Sequence, residues 1–173
     1  MEIKIVKASN KDFTFLKKID EACFKDYQQT SDRSILRSLD SSCNEIFIAK
    51  VKRNNRWTKV GSLTVHKYKT TLRITSIAVY SEYRNLNIGS ELINYTINLA
   101  KKKLFNILSL EALATNNKLI IWYEKFGFKT YDYLHNYYDD YIDAFRMILK
   151  LESINYKGEI AVDKRHIDSV VYK

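Results

Sequence analysis

A strand, a tight loop and a helix meet between Ile77 and Ser90, and this segment has the features of a phosphate-binding site. The first N–H groups of a helix have no partner within that helix, and the helix macrodipole favours anions at that end. Gly89 allows a ligand to approach the backbone closely. The segment therefore predicts an anion site at the start of the helix.

The same segment resembles the acyl-CoA motif of the GNAT acetyltransferases: Arg or Gln, two variable residues, Gly, one variable residue, then Gly or Ala. Arg84, Asn87 and Gly89 stand at the three diagnostic places. Asn87 replaces the first glycine, and asparagine tolerates left-handed backbone angles better than other non-glycine residues. The resemblance implies that acetyl-CoA is bound here, without a metal, by Ile77, Ala78, Val79, Arg84, Asn85, Leu86, Asn87, Ile88, Gly89 and Ser90.

A second block, from Leu110 through Asn116 to Phe128, resembles the family's asparagine-started helix that ends in LYEKxGF. Leu119 replaces a residue that is usually small and Trp122 replaces a leucine, and both changes are expected to affect packing. Asn116 is expected either to hydrogen-bond the pantetheine arm of the cofactor or to cap the following helix.

Two side chains in this block, Glu111 and Tyr123, receive catalytic roles from the resemblance. The family implies direct attack of an amine on the thioester while both substrates are bound. Tyr123 is then the expected general acid for the departing CoA thiolate, and it also contacts the cofactor. Glu111 stands where bacterial ribosomal-protein and archaeal N-terminal acetyltransferases carry a glutamate, which implies a general base acting through water. The alternatives are a packing aromatic for Tyr123 and a solvated strand-end carboxylate for Glu111.

The run from Tyr137 to Met147 resembles a hairpin of N-terminal acetyltransferases in which two tyrosines contact the first residues of the peptide. Tyr137 and Tyr138 are thus expected to bind the acceptor. Tyr141 replaces the glycine that usually follows the acidic pair, so the turn is expected to differ. The predicted acceptor is the α-amine of a protein or peptide N-terminus.

The run from Ile19 to Tyr27 resembles the first helix and loop of the same subgroup. Phe24 and Tyr27 are expected either to line the peptide slot or to pack on the core. Two other functions stay open: acetylation of lysine or small amines, and a CoA-binding or nucleic-acid-binding module without turnover. The position of the acetyl group on the product distinguishes N-terminal acetylation from acetylation of lysine or small amines. Turnover distinguishes both enzymatic functions from a binding module.

Hydrophobic periodicity predicts the elements that position these residues, in the order β, α, α, β, β, β, α, β, α, β, β. The clearest helix runs from Ile88 to about Leu104, and the last two strands run from Phe128 to Tyr133 and from Ile142 to Leu151. This order predicts a mixed α/β layer structure. The resemblance specifies the GNAT fold, a mostly antiparallel central sheet with about four flanking helices.

The resemblance covers residues 3 to about 151, so the sequence predicts an acetyltransferase domain at 1–151 and a C-terminal extension of unknown role at 152–173. Alternating Ile160 and Val162, and later Val170 and Val171, suggest one or two short strands in the extension, at an edge or a dimer contact, and a frayed tail is the alternative. Either a monomer or a homodimer is compatible with the sequence.

The composition is that of a folded globular protein. The chain has 173 residues, 46% of them hydrophobic and 28% charged, which suits one domain and argues against disorder. The net charge of +9 raises the question of nucleic-acid binding. However, the lysine cluster at residues 101–103 is predicted to end a helix, where cations meet the negative end of the macrodipole. We expect no nucleic-acid partner.

The N-terminal residues lack the apolar segment of a secretory signal, and the longest apolar runs are too short to cross a bilayer. We therefore expect a cytoplasmic protein without a membrane partner. Cys23 and Cys43 are expected to be reduced and buried. No metal is predicted, because ligand spacing is lacking at His66, His135 and His166.

Overall fold

A computed structural model describes residues 1–151, 153–154 and 160–161. The strands of its central sheet are β1 (Glu2–Lys7), β2 (Asn44–Arg53), β3 (Arg56–Lys67), β4 (Thr71–Val79), β5 (Ile107–Leu113), β6 (Lys129–Asp139) and β7 (Ile142–Lys150). They form one seven-stranded sheet in the order β1-β2-β3-β4-β5-β7-β6. Neighbouring strands are antiparallel except β4 and β5, which are parallel. The predicted mixed, mostly antiparallel sheet is confirmed.

The helices are α1 (Phe13–Cys23), α2 (Asp32–Asp40), α3 (Ile88–Lys102) and α4 (Asn117–Glu124). The predicted order of helices and strands is therefore confirmed. The α3 helix ends two residues before the predicted end because Leu104 has a φ of 59°, which is incompatible with a right-handed helix.

Each face of the sheet carries its own hydrophobic core, because successive residues of a strand point to opposite faces. In β2, Ile46 and Ile48 pack with Leu16 of α1 and Ile35 of α2. The alternate β2 residues pack in the second core with residues from the first turns of α3; the members of this set are Phe47, Ala49, Val51, Ile88, Leu92 and Ile93. Helices α1 and α2 thus cover one face, and α3 covers the other.

The parallel strands β4 and β5 separate in the middle of the sheet. Their pairing runs from Thr71 opposite Ile107 to Ile74 opposite Leu110 and stops there. Both strands continue beyond this point without pairing to each other, over residues 75–79 and 111–113. At this point the ladder between β3 and β4 also shifts register: Thr64 pairs with Ser76 and Val65 with Ile74, which leaves Thr75 of β4 as an extra residue, and such irregularities bend a strand. We call the resulting gap the β4/β5 wedge.

The hairpin of β6 and β7 is longer than predicted. β6 reaches Asp139 instead of ending at Tyr133, because its ladder with β7 resumes beyond an irregularity, with Asp139 opposite Ile142. In the extension, the strand expected near Ile160 is present as β9 (Ile160–Ala161), paired antiparallel with β8 (Ser153–Ile154). Val162, Val170 and Val171 lie outside the described residues.

The expected burial of both cysteines is wrong for Cys43, which is exposed in the turn between α2 and β2, whereas Cys23 is half-buried at the end of α1. Within the described residues, no group of three His, Cys, Asp or Glu side chains is arranged to hold a metal ion. No helix in that part of the chain is long and apolar enough to cross a bilayer.

Candidate active site in the β4/β5 wedge

A cavity of about 460 Å³ lies in the β4/β5 wedge. It extends from the start of α3 and the length of α4 to the end of α1 and the β6–β7 hairpin. It brings together many of the residues that the sequence predicted for the site: Phe24, Ile77, Val79, Arg84, Gly89, Glu111, Asn116, Tyr123 and Tyr138. Half of the predicted cofactor residues and two of the four predicted acceptor residues, Phe24 and Tyr138, therefore share one cavity.

Other predicted cofactor residues lie outside the cavity wall. The side chains of Ala78 and Ile88 are buried in the core, 4% and 1% exposed. Ala78 also pairs with Ser62 of β3. These two residues therefore contact a ligand through backbone groups or not at all. The loop before α3 and its first turn contain the rest, namely Asn85, Leu86, Asn87 and Ser90.

The loop before α3 has the left-handed geometry that the family motif obtains from glycine. Asn85 has a φ of 62° and Asn87 a φ of 64°. Asparagine reaches this region at less cost than other side chains with a Cβ atom. Asn87 then starts the helix: its carbonyl accepts from the Glu91 N–H at 3.0 Å, and its Nδ2 donates to Glu91 Oε1 at 3.3 Å. The replacement of glycine by Asn87 thus preserves the turn.

Two side chains hold the end of β4. The Val79 carbonyl accepts from Arg84 Nε at 3.2 Å and from Cys23 Sγ at 3.5 Å. Burial raises the pKa of the Cys23 thiol, so the thiol keeps the proton that it donates. Cys23 lines the cavity, although the sequence predicted for it only a reduced and buried side chain.

Trp122 fills the space between α4 and the start of α3. A Cβ atom at Gly89 would lie 3.3 Å from Trp122 Cζ2, so the indole ring packs directly on the Gly89 backbone. The same ring lies 4.9 Å from the ring of Tyr123 and 5.1 Å from that of Phe126. Trp122 therefore fixes α4 against the predicted cofactor loop.

Tyr123 is 3% exposed and lines the cavity from α4. Its ring lies 5.8 Å from the ring of Phe128, which is itself buried. Burial raises the pKa of Tyr123, so its phenol keeps its proton at neutral pH and is able to donate it. At the other end of α4, Asn116 Oδ1 accepts from the Leu119 N–H at 3.2 Å. The helix-capping alternative for Asn116 is thus observed, and a contact with the pantetheine arm stays a prediction.

Glu111 lies at the base of the wedge with both carboxylate oxygens occupied. Its side chain is 5% exposed, so the alternative of a solvated carboxylate is wrong. Oε2 accepts from Arg73 Nε at 2.8 Å, and Oε1 accepts from Arg146 Nε at 3.0 Å. Sequence reasoning missed both arginines. Arg146 is the register partner of Glu111 in β7, which only the strand pairing reveals.

The two hairpin tyrosines approach Glu111 from β6. The Tyr138 hydroxyl donates to the Glu111 carbonyl at 3.2 Å, and burial raises the pKa of Tyr138 to about 12. Arg73 Nη2 donates to the Tyr137 hydroxyl, so one guanidinium joins Tyr137 to Glu111. Tyr138 lines the cavity and Tyr137 lies beside it.

The turn of this hairpin again places a side chain where the family has glycine. Tyr141 has a φ of 63° and is 94% exposed. Its N–H donates to Asn136 Oδ1 at 2.8 Å, which stabilises the left-handed residue. On the opposite side of the cavity, Phe24 lines the wall at the end of α1. Tyr27 lies in the following 3₁₀ turn, outside the cavity wall, so its predicted place in the slot is not observed.

The chain is similar to N-terminal acetyltransferases of other organisms. It is 35% identical over 82 residues to N-alpha-acetyltransferase 30 of Schizosaccharomyces pombe, which covers 46% of this chain and 55% of that protein. It is 38% identical over 80 residues to an N-alpha-acetyltransferase of Sulfurisphaera tokodaii, which covers 45% of this chain and 47% of that protein. The chain thus spans about half the length of the curated relatives that it matches.

A solved structure agrees with the fold over nearly its whole length. The crystal structure of Ard1 from Thermoplasma volcanium superposes with a TM-score of 0.75 at 25% identity, covering 87% of this chain and 99% of that one. Residues 13–128 match the sequence profile of the acetyltransferase (GNAT) family, and the chain belongs to that family.

Proposed function

We propose that this protein transfers an acetyl group from acetyl-CoA to an amine, and that this amine is the α-amine of a protein or peptide N-terminus. The observation that carries the proposal is the cavity in the β4/β5 wedge. It joins an anion-binding helix start at Gly89 to a buried phenol, Tyr123, and a buried carboxylate, Glu111.

The wedge has the chemistry to hold acetyl-CoA. Bound acetyl-CoA supplies a thioester whose acetyl carbon an amine attacks. The backbone edges at residues 75–79 and 111–113 do not pair with each other, and apart from the carbonyls of Val79 and Glu111 they offer N–H and C=O groups to the amides of the pantetheine arm. The start of α3 and the left-handed loop residues Asn85 and Asn87 suit the pyrophosphate. Arg84 lies at the same end of the cavity.

Tyr123 is proposed to be the general acid. A phenol that keeps its proton at neutral pH can donate it to a sulfur atom that departs with a negative charge. Its packing against Trp122 and Phe128 holds the ring in one position, so its hydroxyl has a fixed place in the cavity wall.

Glu111 is proposed to accept the proton of the amine through water. A proton on this carboxylate would displace a hydrogen bond from Arg73 or Arg146. Proton transfer through water is easier from an amine that loses its proton readily. The α-amine has a pKa of about 8, compared with about 10.4 for lysine, which favours an N-terminal acceptor. The α-amine specificity named for the relatives in S. pombe and S. tokodaii supports the same choice.

The test has two steps. The protein is first titrated calorimetrically with acetyl-CoA, and is then given peptides with free or chemically blocked N-termini while release of CoA is followed. Mass spectrometry locates the acetyl group. Turnover of peptides with free N-termini alone supports the proposal. Acetyl groups found on lysine side chains or small amines would show that these amines, and not the N-terminus, are the acceptor. Binding without turnover of any amine would indicate a CoA-binding module, and no binding would refute the proposal.

A further inference from the structure

A second cavity, of about 290 Å³, adjoins the first. It lies between helices α1 and α2 and the face of β2, β3 and β4 that they cover. Thr30, Thr75 and Ser76 line both cavities. An acceptor in the wedge is therefore separated from the second cavity only by a shared wall of small polar residues.

The second cavity is lined mainly by polar side chains, with apolar groups from Leu16, Ile35 and Ile46. In its wall, Asn44 Nδ2 donates to Ser38 Oγ at 3.1 Å. That orientation places Asn44 Oδ1 2.5 Å from His66 Nδ1.

An amide oxygen only accepts, so the proton of the His66 imidazole lies on Nδ1 in this network. The hydroxyls of Ser62 and Thr64, which can accept hydrogen bonds, also line the cavity.

Asp20 supplies the carboxylate of this cavity. The residue is 8% exposed, and its Oδ2 accepts from the Thr30 N–H at 2.7 Å. Within the described residues, no Lys, Arg or His nitrogen lies within 4.0 Å of its carboxylate. Burial raises the pKa of Asp20, as is usual for a carboxyl group without a cationic partner. Such groups in cavities are typical of functional sites.

We propose that the second cavity binds a cationic side chain of the acceptor, a lysine or arginine next to the acetylated N-terminus, and that Asp20 is its counter-ion. This inference rests on the proposed function and specifies its substrate class. An ammonium or guanidinium group donates hydrogen bonds and accepts none, which complements a wall of acceptors around one carboxylate. An apolar side chain would leave the Asp20 carboxylate without a cation, and an acidic one would be repelled by it.

The experiment compares peptides that carry lysine or norleucine at residue 1, 2 or 3, with kcat/KM measured for each and the acetylated nitrogen located by mass spectrometry. We expect the wild-type protein to prefer lysine at one of these positions by about tenfold or more, as for a charge-assisted hydrogen bond. Asp20→Asn keeps an oxygen for the Thr30 N–H but removes the charge, so the ratio of lysine to norleucine should fall to near one. Asp40→Asn, the same charge change at an exposed position, should leave the ratio unchanged.

A second variant tests the cavity by volume. Ser62 is 7% exposed and lines the second cavity, and valine at this position would fill part of its volume. Ser62→Val should therefore reduce the preference for lysine while Asp20 is intact. This variant also tests the inference if Asp20→Asn does not fold. Equal kcat/KM for lysine and norleucine peptides, both acetylated on the α-amine, would overturn the inference and leave the proposed function standing.

The remaining outcomes are equally decisive. Acetylation of the lysine ε-amine, or an Asp20-dependent preference for free spermidine over every peptide, would overturn the assignment of the cavity to a peptide side chain. No turnover of any peptide would refute the proposed function, and this inference with it.

Discussion

Glu111→Gln is predicted to lower both the stability and the turnover of the protein, by separable mechanisms. The substitution keeps the volume of the side chain and one acceptor oxygen but removes the negative charge. Arg73 and Arg146 would then lose the carboxylate that both of them contact. Arg73 would keep its contact with the Tyr137 hydroxyl and Arg146 its distant contact with Asp132 at 3.9 Å, but both charges, partly removed from water, would lose their main partner, which destabilises the folded state.

The magnitude follows from the exposure of the three side chains. Removal of one partner from a fully buried ion pair costs about 3–5 kcal/mol. Glu111 is 5% exposed, but Arg73 and Arg146 are 26% and 37% exposed, so water screens the charges that remain. We therefore expect the free energy of unfolding to fall by about 1–2 kcal/mol.

Urea denaturation at neutral pH measures this change. Arg146→Leu and the double variant complete a cycle, and we expect a coupling free energy of about 1 kcal/mol between Glu111 and Arg146. Glu124→Gln, an exposed carboxylate on α4, is the matched control and should leave the urea midpoint unchanged. An unchanged midpoint for Glu111→Gln would refute the view that the carboxylate holds the two arginines.

The pH profile of turnover tests the catalytic role separately. If Glu111 accepts the proton of the amine, the loss of kcat in Glu111→Gln should shrink as pH rises, since free amine and hydroxide then replace the base. A loss that is constant with pH would reject the base and leave Glu111 a positioning role, in which its ion pairs order the wall of the cavity.

Three further predictions concern the cofactor side and the hairpin. Tyr123→Phe should lower kcat by about 10- to 100-fold with little change in acetyl-CoA affinity, because it removes only the donated proton. Asn87→Val should weaken acetyl-CoA binding in calorimetry and lower the free energy of unfolding by about 1–2 kcal/mol, because a β-branched residue is strained at a φ of 64°. Asn87→Gly should preserve both the acetyl-CoA affinity and the stability. Burial raises the pKa of Tyr138 to about 12, whereas an unfolded tyrosine ionises at about 10. The stabilisation by the buried phenol is therefore complete below about pH 10 and is lost as pH rises through about 12. Tyr138→Phe should flatten this alkaline decline in the free energy of unfolding, measured by urea denaturation.

Each of these three has an outcome that contradicts it. Unchanged turnover in Tyr123→Phe would remove the phenol from the mechanism. Equal acetyl-CoA affinity for the valine and glycine variants of Asn87 would show that the left-handed turn does not shape the cofactor site. An alkaline decline that is identical in Tyr138→Phe and in the exposed control Tyr131→Phe would assign it to other groups.

The order of elements and the family were readable from local sequence features. Helix α3 is amphipathic over its length, and its start carries Arg84, Asn87 and Gly89 at motif spacing, so its start was predictable, whereas its end lies two residues before the predicted one. The left-handed geometry of Asn87 was also predictable, because it depends on the preference of a single residue. Periodicity and spacing act within a few residues, and the sequence states them directly.

The environment of the predicted base was decided by strand pairing. Arg146 faces Glu111 through the register of β5 with β7, and Arg73 reaches it from β4 across the parallel pair. These residues are separated by 35 and 38 positions in the chain. No local pattern specifies such a pairing, so the sequence left Glu111 open between a base and a solvated carboxylate.

The second cavity shows the same limit. Asp20 belongs to the motif of the first helix, and by sequence alone it is one of two acidic residues on α1. Its burial, its bond to Thr30 and its distance from any cation in the described residues arise only when α1 and α2 pack on the sheet. The sequence by itself determined the fold and the family, and it predicted the cofactor loop and the catalytic roles of Tyr123 and Glu111. The tertiary structure decided which charges surround them, because charges interact through space and not along the chain.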